Sequence, residues 1–214
     1  MNKEACIQLH KIISSGDEQG AINLINSEKD IDVSYEHNMN IPIFLAISEK
    51  MPNLFKVIVN HPTFNNTVED GFGETLFETL LYMYTAEEST KDNFDRAYLK
   101  ELIDIVLKLD NYPFNAKDIS EDTPLIISCE FTCLNWVTSE LLKKKDIDIN
   151  AINDVEHSAL TEAIRYKNIE AIKMLSKMEG LALRGIDIEE AQKANIDLSE
   201  YGITATATVS VTAE

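Results

Sequence analysis

Apolar residues recur at spacings of three and four along much of the chain, which is the pattern of helices that bury one face. Polar and charged residues lie between them, so the opposite face of each helix is predicted to face solvent. The clearest buried faces consist of Leu54, Val57 and Ile58; Leu102, Ile105, Val106 and Leu109; Val137 and Leu141; and Ala171, Ile172 and Leu175. The pattern predicts short helices that pack side by side.

The segments that precede these helices begin alike. They are Ile41-Pro42-Ile43 followed by Ala46, Thr75-Leu76-Phe77 followed by Leu80, Thr123-Pro124-Leu125 followed by Ser128, and Ser158-Ala159-Leu160 followed by Ala163. The third residues of these motifs are 34, 48 and 35 positions apart. Proline fits the first turn of a helix, and a preceding Thr or Ser hydroxyl can cap that turn. We therefore predict a repeated unit whose first helix begins at each motif.

These motifs identify a family. The pattern Thr-Pro-Leu-x-x-Ala, preceded by Asp-x-x-Gly-x and followed by a second helix and an Asp-Val-Asn-Ala turn, resembles the ankyrin repeat of about 33 residues. The Asp and Gly are present at Asp70 and Gly73, a turn between helices at Ser15-Gly16-Asp17, and a closing turn at residues 146–151. The resemblance implies an all-α solenoid of stacked helix-turn-helix units with hairpin-like turns over residues 1–184. The repeats are predicted at residues 1–33, 34–66, 67–116, 117–150 and 151–184.

The repeats depart from the family pattern in two ways. The third repeat is about 14 residues too long, which predicts an insertion at residues 84–97 between its two helices. Three repeats have Met39, Glu121 or Glu156 where the pattern has its turn glycine. A side chain there disfavours the positive φ that glycine adopts freely.

The pattern changes after Gly185. Ile188, Ala191, Ile196 and Leu198 predict an amphipathic C-terminal cap over residues 185–202, which would cover the last repeat. Residues 203–214 then alternate apolar and hydroxyl side chains at the period of a strand. We consider three outcomes for this strand-like tail: it docks on the cap, frays, or pairs with another chain.

The net charge of −18, from 37 acidic against 19 basic residues, bears on the choice of partners. A negative potential repels phosphate backbones and anionic lipid, so we expect neither nucleic acid nor membrane as a partner. The charge serves solubility, or it attracts a basic protein. No apolar run predicts a transmembrane helix or a secretory signal, and three cysteines fit a reducing compartment, so we expect a cytoplasmic protein.

The sequence predicts no catalytic, cofactor or metal site. Residues 146–150 begin like a calcium loop, but Ala151 replaces its glycine and His157 its final glutamate. Cys129 and Cys133 would need two further soft ligands to bind zinc, and the histidines are scattered. Gly71-Phe72-Gly73 lacks the third glycine of a dinucleotide site. No local signature of a nucleophile is present either.

The resemblance implies that hairpin tips and the exposed side of the first helices together line a concave groove that binds a partner. Transferred onto this sequence, these positions are His37, Asn38, Asn40, Glu49, Phe72, Glu74, Tyr82, Ile119, Ser120, Asp122, Glu130, Phe131, Asp154, Val155, His157, Arg165 and Tyr166. Tyr82, Phe131 and Tyr166 are the foremost candidates, because large aromatic side chains are common interface anchors. Packing within the stack is the alternative role for these rings.

Three functions follow as hypotheses. The first is a non-enzymatic scaffold for protein–protein interaction. The second is an acidic inhibitor or immunity-type protein that occludes a basic enzyme, with the net charge steering the encounter. The third is an enzyme in which residues 84–97 form a lid, which no motif supports.

Overall fold

The structure is a computed structural model, in which residues 1–86 and 96–204 are described. Short α-helices and tight turns make up this part of the chain. The helices are α1 (Lys3–Ser14), α2 (Glu18–Ser27), α3 (Pro42–Ser48), α4 (Pro52–Val59), α5 (Leu76–Ala86), α6 (Arg96–Leu107), α7 (Pro124–Glu130), α8 (Asn135–Leu141), α9 (Ala159–Arg165), α10 (Ile169–Leu175) and α11 (Gly185–Ala194). None of these helices is long and apolar enough to cross a membrane. The chain divides into two compact units, Met1–Pro113 and Phe114–Glu214.

Unit 1 contains α1 to α6, which pack as three pairs: α1 with α2, α3 with α4, and α5 with α6. Neighbouring pairs are joined by α1 against α3, by α2 against α4, and by α4 against α6. Ile43, Leu54 and Leu76 are fully buried between the helices. Glu18 at the start of α2 accepts hydrogen bonds from the backbone N–H groups of Asn53 and Leu54, at 2.8 and 3.0 Å. This carboxylate satisfies amides that the first turn of α4 leaves unpaired.

Unit 2 contains α7 to α11 and follows the same rule. The pairs are α7 with α8 and α9 with α10, and α7 contacts α9 while α8 contacts α10. Helix α11 packs on α9, where the buried Asp187 accepts a 2.6 Å hydrogen bond from the Thr161 hydroxyl. Ala191 and Leu198 are buried as the apolar pattern predicts, but Ile188 is 40% exposed. The prediction that Ile188 belongs to the buried face of the cap is therefore wrong. The neighbouring Asp187 is the residue that is buried against α9.

The first helices begin as the motifs predict. Pro42 and Pro124 occupy the first turns of α3 and α7, and the Thr123 hydroxyl accepts the Ile126 N–H at 3.3 Å. Ser158 caps α9 in a reciprocal arrangement with Thr161. The small side chains at the repeated position of these helices are fully buried, which permits close approach of neighbouring backbones: Ala46, Ser128 and Ala163.

Three of the hairpin turns share one construction. The side chains of Asp70, Asp118 and Asn153 each accept two backbone N–H bonds from within their own turn, at 2.7–3.2 Å. The residue three positions later has positive φ in every case, at Gly73 (82°), Glu121 (59°) and Glu156 (63°). The turn geometry is therefore kept without glycine at two positions, because the Asx side chain fixes the surrounding amides.

The remaining turn is shorter. His37 and Asn40 exchange backbone hydrogen bonds at 2.9 and 3.1 Å, and both residues between them have positive φ, Asn38 at 52° and Met39 at 61°. This is a two-residue hairpin of the type I′ class, which favours Asn-Gly. Met39 therefore occupies the second central position of a tight turn, whereas Glu121 and Glu156 lie in longer ones.

The described ends of the predicted insertion are helical, since α5 includes residues 84–86 and α6 begins at Arg96. Residues 87–95 and the greater part of the predicted tail, residues 205–214, lie outside the described residues. The cap segment forms α11 and a 3₁₀ turn at Leu198–Tyr201, and the buried Ile203 donates its N–H to the Leu198 carbonyl at 3.1 Å. The five repeat boundaries and the three outcomes for the tail stay predictions.

The segment that superficially resembles a calcium loop is a turn that joins neighbouring repeats. Asn115 donates to the Asp146 carbonyl and accepts from the Asp148 N–H, at 2.7 and 2.9 Å. Asn150 makes the same pair of bonds to the Gly180 carbonyl and the Ala182 N–H, at 2.8 and 2.9 Å. These asparagines therefore tie successive turns together.

The tight turn at Asn38 and Met39 predicts a stabilising substitution. Met39→Gly should raise the free energy of unfolding by about 1 kcal/mol and the melting temperature by roughly 2–4 °C, because glycine relieves the left-handed strain of a 91% exposed side chain. Met39→Ala is the matched control, since it removes the side chain but keeps Cβ. Equal melting temperatures for the two variants in thermal denaturation would contradict this interpretation of the turn.

Candidate functional site

Each hairpin turn exposes one large apolar side chain at its tip. Met39 is 91% exposed, Phe72 79%, Ile119 74% and Val155 56%. Phe72, Ile119 and Val155 are among the residues predicted from the sequence. Met39 was not predicted as a partner contact, because the family pattern places a glycine at this position. The feature that could have identified it is an apolar residue in a turn that is otherwise polar.

The polar candidates at the tips differ in exposure. Asn38, Asn40, Ser120 and Asp154 are exposed, and so is Glu49, which ends α3; His37 and Glu74 are only half-buried. His37 stacks on Tyr35, with ring centroids 6.5 Å apart, and its ring meets that of His10 edge-on at 5.5 Å. His37 therefore contributes to packing in unit 1 as well as to the surface.

Asp122 is buried, so its sequence-based assignment to the exposed surface is wrong. It is 9% exposed, and one carboxylate oxygen accepts a 2.8 Å bond from the Asn153 side chain. Burial raises the pKa of the Asp122 carboxyl to about 6. Asp122 lies one position before Thr123, the N-cap of α7. Its bond to Asn153 joins the turn before α7 to the turn before α9.

A buried carboxylate that the sequence reading missed organises two of the predicted residues. Glu162 in α9 is 3% exposed and accepts two 2.8 Å bonds from the Arg165 guanidinium. Its Oε1 also lies 2.6 Å from Nδ1 of His157, so that nitrogen donates its proton to the carboxylate. The spacing of Glu162 and Arg165, three residues apart on one helix, is the signal that could have identified the pair.

Phe131 and Tyr166 lie together at the ends of α7 and α9. Their rings are stacked with centroids 6.4 Å apart, and Tyr166 is 52% exposed. Glu130, the last residue of α7, lies close enough that its charge is the main cause of a raised pKa for the Tyr166 hydroxyl. The structure thus brings together three residues that the sequence predicted separately.

Tyr82 belongs to the other unit. It is half-buried in α5, and its carbonyl accepts a hydrogen bond from the Thr85 hydroxyl at 2.9 Å. Tyr82 is therefore described with unit 1, whereas Phe131 and Tyr166 form the aromatic pair of unit 2.

The Glu130 carboxyl has a strongly perturbed acidity. Burial raises its pKa to about 8, and the neighbouring carboxylates of Glu162 and Asp122 raise it further than Arg165 lowers it. At neutral pH this group holds its proton for most of the time. Its charge state therefore changes within the physiological range.

The cysteines do not form a reactive cluster. Cys129 is fully buried, and burial raises the pKa of its thiol to about 12, so the thiolate is disfavoured. Cys6 is buried and Cys133 half-buried. Within residues 1–86 and 96–204, no group of three or more His, Cys, Asp and Glu side chains is arranged to hold a metal ion.

Two solved structures of ankyrin-repeat proteins are similar to this chain. One is an ankyrin repeat domain from Acinetobacter baumannii AYE, which is 16% identical, with a TM-score of 0.63 over 91% of this chain and 93% of its own. The other, the ankyrin repeat protein EF0377, is 15% identical, with a TM-score of 0.54 over 93% of this chain and 83% of its own. No model of a protein family matches the sequence, and no curated protein matches it. These likenesses confirm the predicted all-α ankyrin-repeat fold.

The raised pKa values in unit 2 predict that stability falls with rising pH. Folded Glu130 and Asp122 hold protons more tightly than the unfolded chain does, so stability falls as the pH rises from about 4, the ordinary carboxyl pKa, to about 6 for Asp122 and about 8 for Glu130. Above these values the loss is complete. The Glu130→Gln variant has no proton to lose at this position. Its free energy of unfolding should therefore fall by roughly 1–3 kcal/mol less than that of the wild type over the same pH range, allowing for solvent screening.

Urea denaturation at a series of pH values checks this prediction. Glu189→Gln is the control, because it removes the same charge from an exposed position in α11. If Glu130→Gln leaves the pH dependence as steep as Glu189→Gln does, the Glu130 carboxyl is not the group responsible.

Proposed function

We propose that this chain, which has the ankyrin-repeat fold, is a non-enzymatic scaffold that binds a protein partner through its turn tips and the exposed ends of its first helices. Ankyrin-repeat folds generally serve protein–protein interaction. The observation that carries the proposal is the exposed apolar side chain at the tip of each hairpin turn, Met39 and Phe72 in unit 1 and Ile119 and Val155 in unit 2.

Apolar tips suit binding for two physical reasons. Their burial against a partner releases roughly 25 cal/mol per Å² of apolar surface. The turns that carry them are already fixed by backbone and Asx hydrogen bonds, so ordering them on binding costs little conformational entropy. A groove of about 380 Å³ beside Met39, bounded by the Glu69–Gly71 turn and Phe44, adds a concave feature in unit 1.

Removal of the apolar tips tests the proposal. The triple variant Phe72→Ser, Ile119→Ser and Val155→Ser should fold as the wild type does, because these side chains are exposed. It should lose at least tenfold in affinity for any protein that the immobilised wild-type chain retains from native lysate, since tip side chains of this kind act as binding anchors.

Ile188→Ser is the matched control, because Ile188 is an exposed apolar residue on α11 outside the turns. A partner that binds the triple variant and the control equally well would show that the binding surface lies elsewhere on the chain.

The net charge of −18 favours a second candidate, an acidic inhibitor that occludes a basic enzyme. Electrostatic steering then predicts that the association rate with the retained partner falls by at least tenfold from low to high salt. Surface plasmon resonance measures this rate directly. An association rate that hardly changes with salt would leave the scaffold as the better description.

A further inference from the structure

We infer that unit 2 binds a protein segment through an arginine side chain, whose guanidinium lies against the Glu130 carboxylate beside the rings of Phe131 and Tyr166. This inference rests on the proposed function, because it assigns the chemistry of the partner to one part of the proposed surface. Five residues define this unit 2 surface: Ile119, Glu130, Phe131, Val155 and Tyr166.

The aromatic pair supplies the face for the side chain. Tyr166 is more than half exposed, and Phe131 is half-buried against it, so the pair keeps an accessible edge at the end of α9. The Arg165 guanidinium already lies 5.8 Å from the centroid of the Tyr166 ring. A planar cation stacks favourably on such rings, and arginine does so better than lysine.

The local charge is negative and only partly compensated. The carboxylates of Asp118, Asp122 and Glu162 all act on Glu130, against the single guanidinium of Arg165. That guanidinium is directed at Glu162, with both short bonds made to its two carboxylate oxygens. Among the residues that the structure describes, none places a hydrogen-bond donor within bonding distance of the Glu130 carboxylate. A partner guanidinium would supply the missing donors with bidentate geometry.

The apolar residues of this surface lie on the two hairpin turns that precede α7 and α9. The two turns that carry Ile119 and Val155 are joined by a 3.1 Å hydrogen bond from the Asp154 N–H to the Ser120 carbonyl. Exposed apolar side chains in the same unit as the Glu130 carboxylate fit a segment that carries apolar residues as well as its arginine. Nucleic acid and anionic membranes do not fit, since both would bring negative charge to an acidic surface.

Proton linkage distinguishes this site from a merely structural carboxyl. Arginine binds the ionised form of Glu130, and the pKa of about 8 leaves only a minor ionised fraction below neutral pH. Binding should therefore release a proton from Glu130. The apparent affinity should rise by at least about tenfold between roughly pH 6.5 and pH 9, as the competent fraction grows.

The groups facing Glu130 also titrate, so they need a control. Asp122, with its pKa near 6, changes charge below this window, whereas Tyr166, whose pKa is raised above its usual value, changes above it. Asp118, Glu162 and Arg165 complete the set of charged groups around Glu130. The Glu130→Gln variant isolates the contribution of Glu130, because it keeps all of these neighbours.

The test is an NMR titration of the full chain with N-acetyl-arginine methylamide. Its neutral isostere, N-acetyl-citrulline methylamide, is the matched probe. The arginine probe should shift the amide signals of Phe131 and Tyr166 with saturation in the millimolar range, more tightly at high pH. Citrulline should not saturate, Glu130→Gln should weaken arginine binding at least tenfold at high pH, and Glu189→Gln should leave it unchanged.

Three results would overturn the inference: no saturable shift with arginine, equal binding of citrulline, or unchanged binding by Glu130→Gln. Calorimetry in two buffers of different ionisation enthalpy gives an independent readout, since proton release makes the observed enthalpy depend on the buffer. The probes need no partner, so their failure leaves the proposed function standing. Conversely, tip variants that keep the partner would count against the proposed function without touching this result.

Discussion

Burial of the apolar face of each helix pair against a neighbouring pair is the constraint on which the structure depends. An isolated pair of helices of seven or eight residues could not bury enough surface to be stable. In unit 1, Ile43 and Leu54 lie fully buried between pairs, and in unit 2 Leu125 and Ile172 do the same. Stability therefore comes from contacts between neighbouring helix pairs. Residues outside these contacts are less constrained by packing.

The turns convert this packing into a surface. Side chains of Asp70, Asp118 and Asn153 fix three turns from within, so the tip residues need not take part in folding. The apolar side chains at the tips are exposed, so they do not contribute to the buried core. In unit 2 the ends of the first helices carry an aromatic pair and an unusually basic carboxylate.

The sequence was informative where local rules act and less so where distant residues meet. Helix starts at Pro124 and Ser158 follow from propensity and capping, and the period follows from the repeated motif. Asp122 could not be identified as buried, because its burial depends on Asn153, which is 31 residues away. Ile188 likewise depends on whether it or Asp187 points to α9.

The candidate site shows the same division. The pattern placed Phe131 and Tyr166 near the surface, but their stacking depends on how α7 and α9 pack. Glu162 was missed because a single acidic residue in a helix is usually solvated. Its burial beneath Arg165 and His157 is a property of the folded unit alone.

Hydrogen–deuterium exchange of the full chain, alone and saturated with its retained partner, tests the central claim most directly. The account predicts that the partner slows exchange in the hairpin turns, at residues 36–40, 70–75, 118–122 and 153–157, and at the ends of α7 and α9. Protection confined to the second helices α4, α8 and α10, with the turns unchanged, would contradict it.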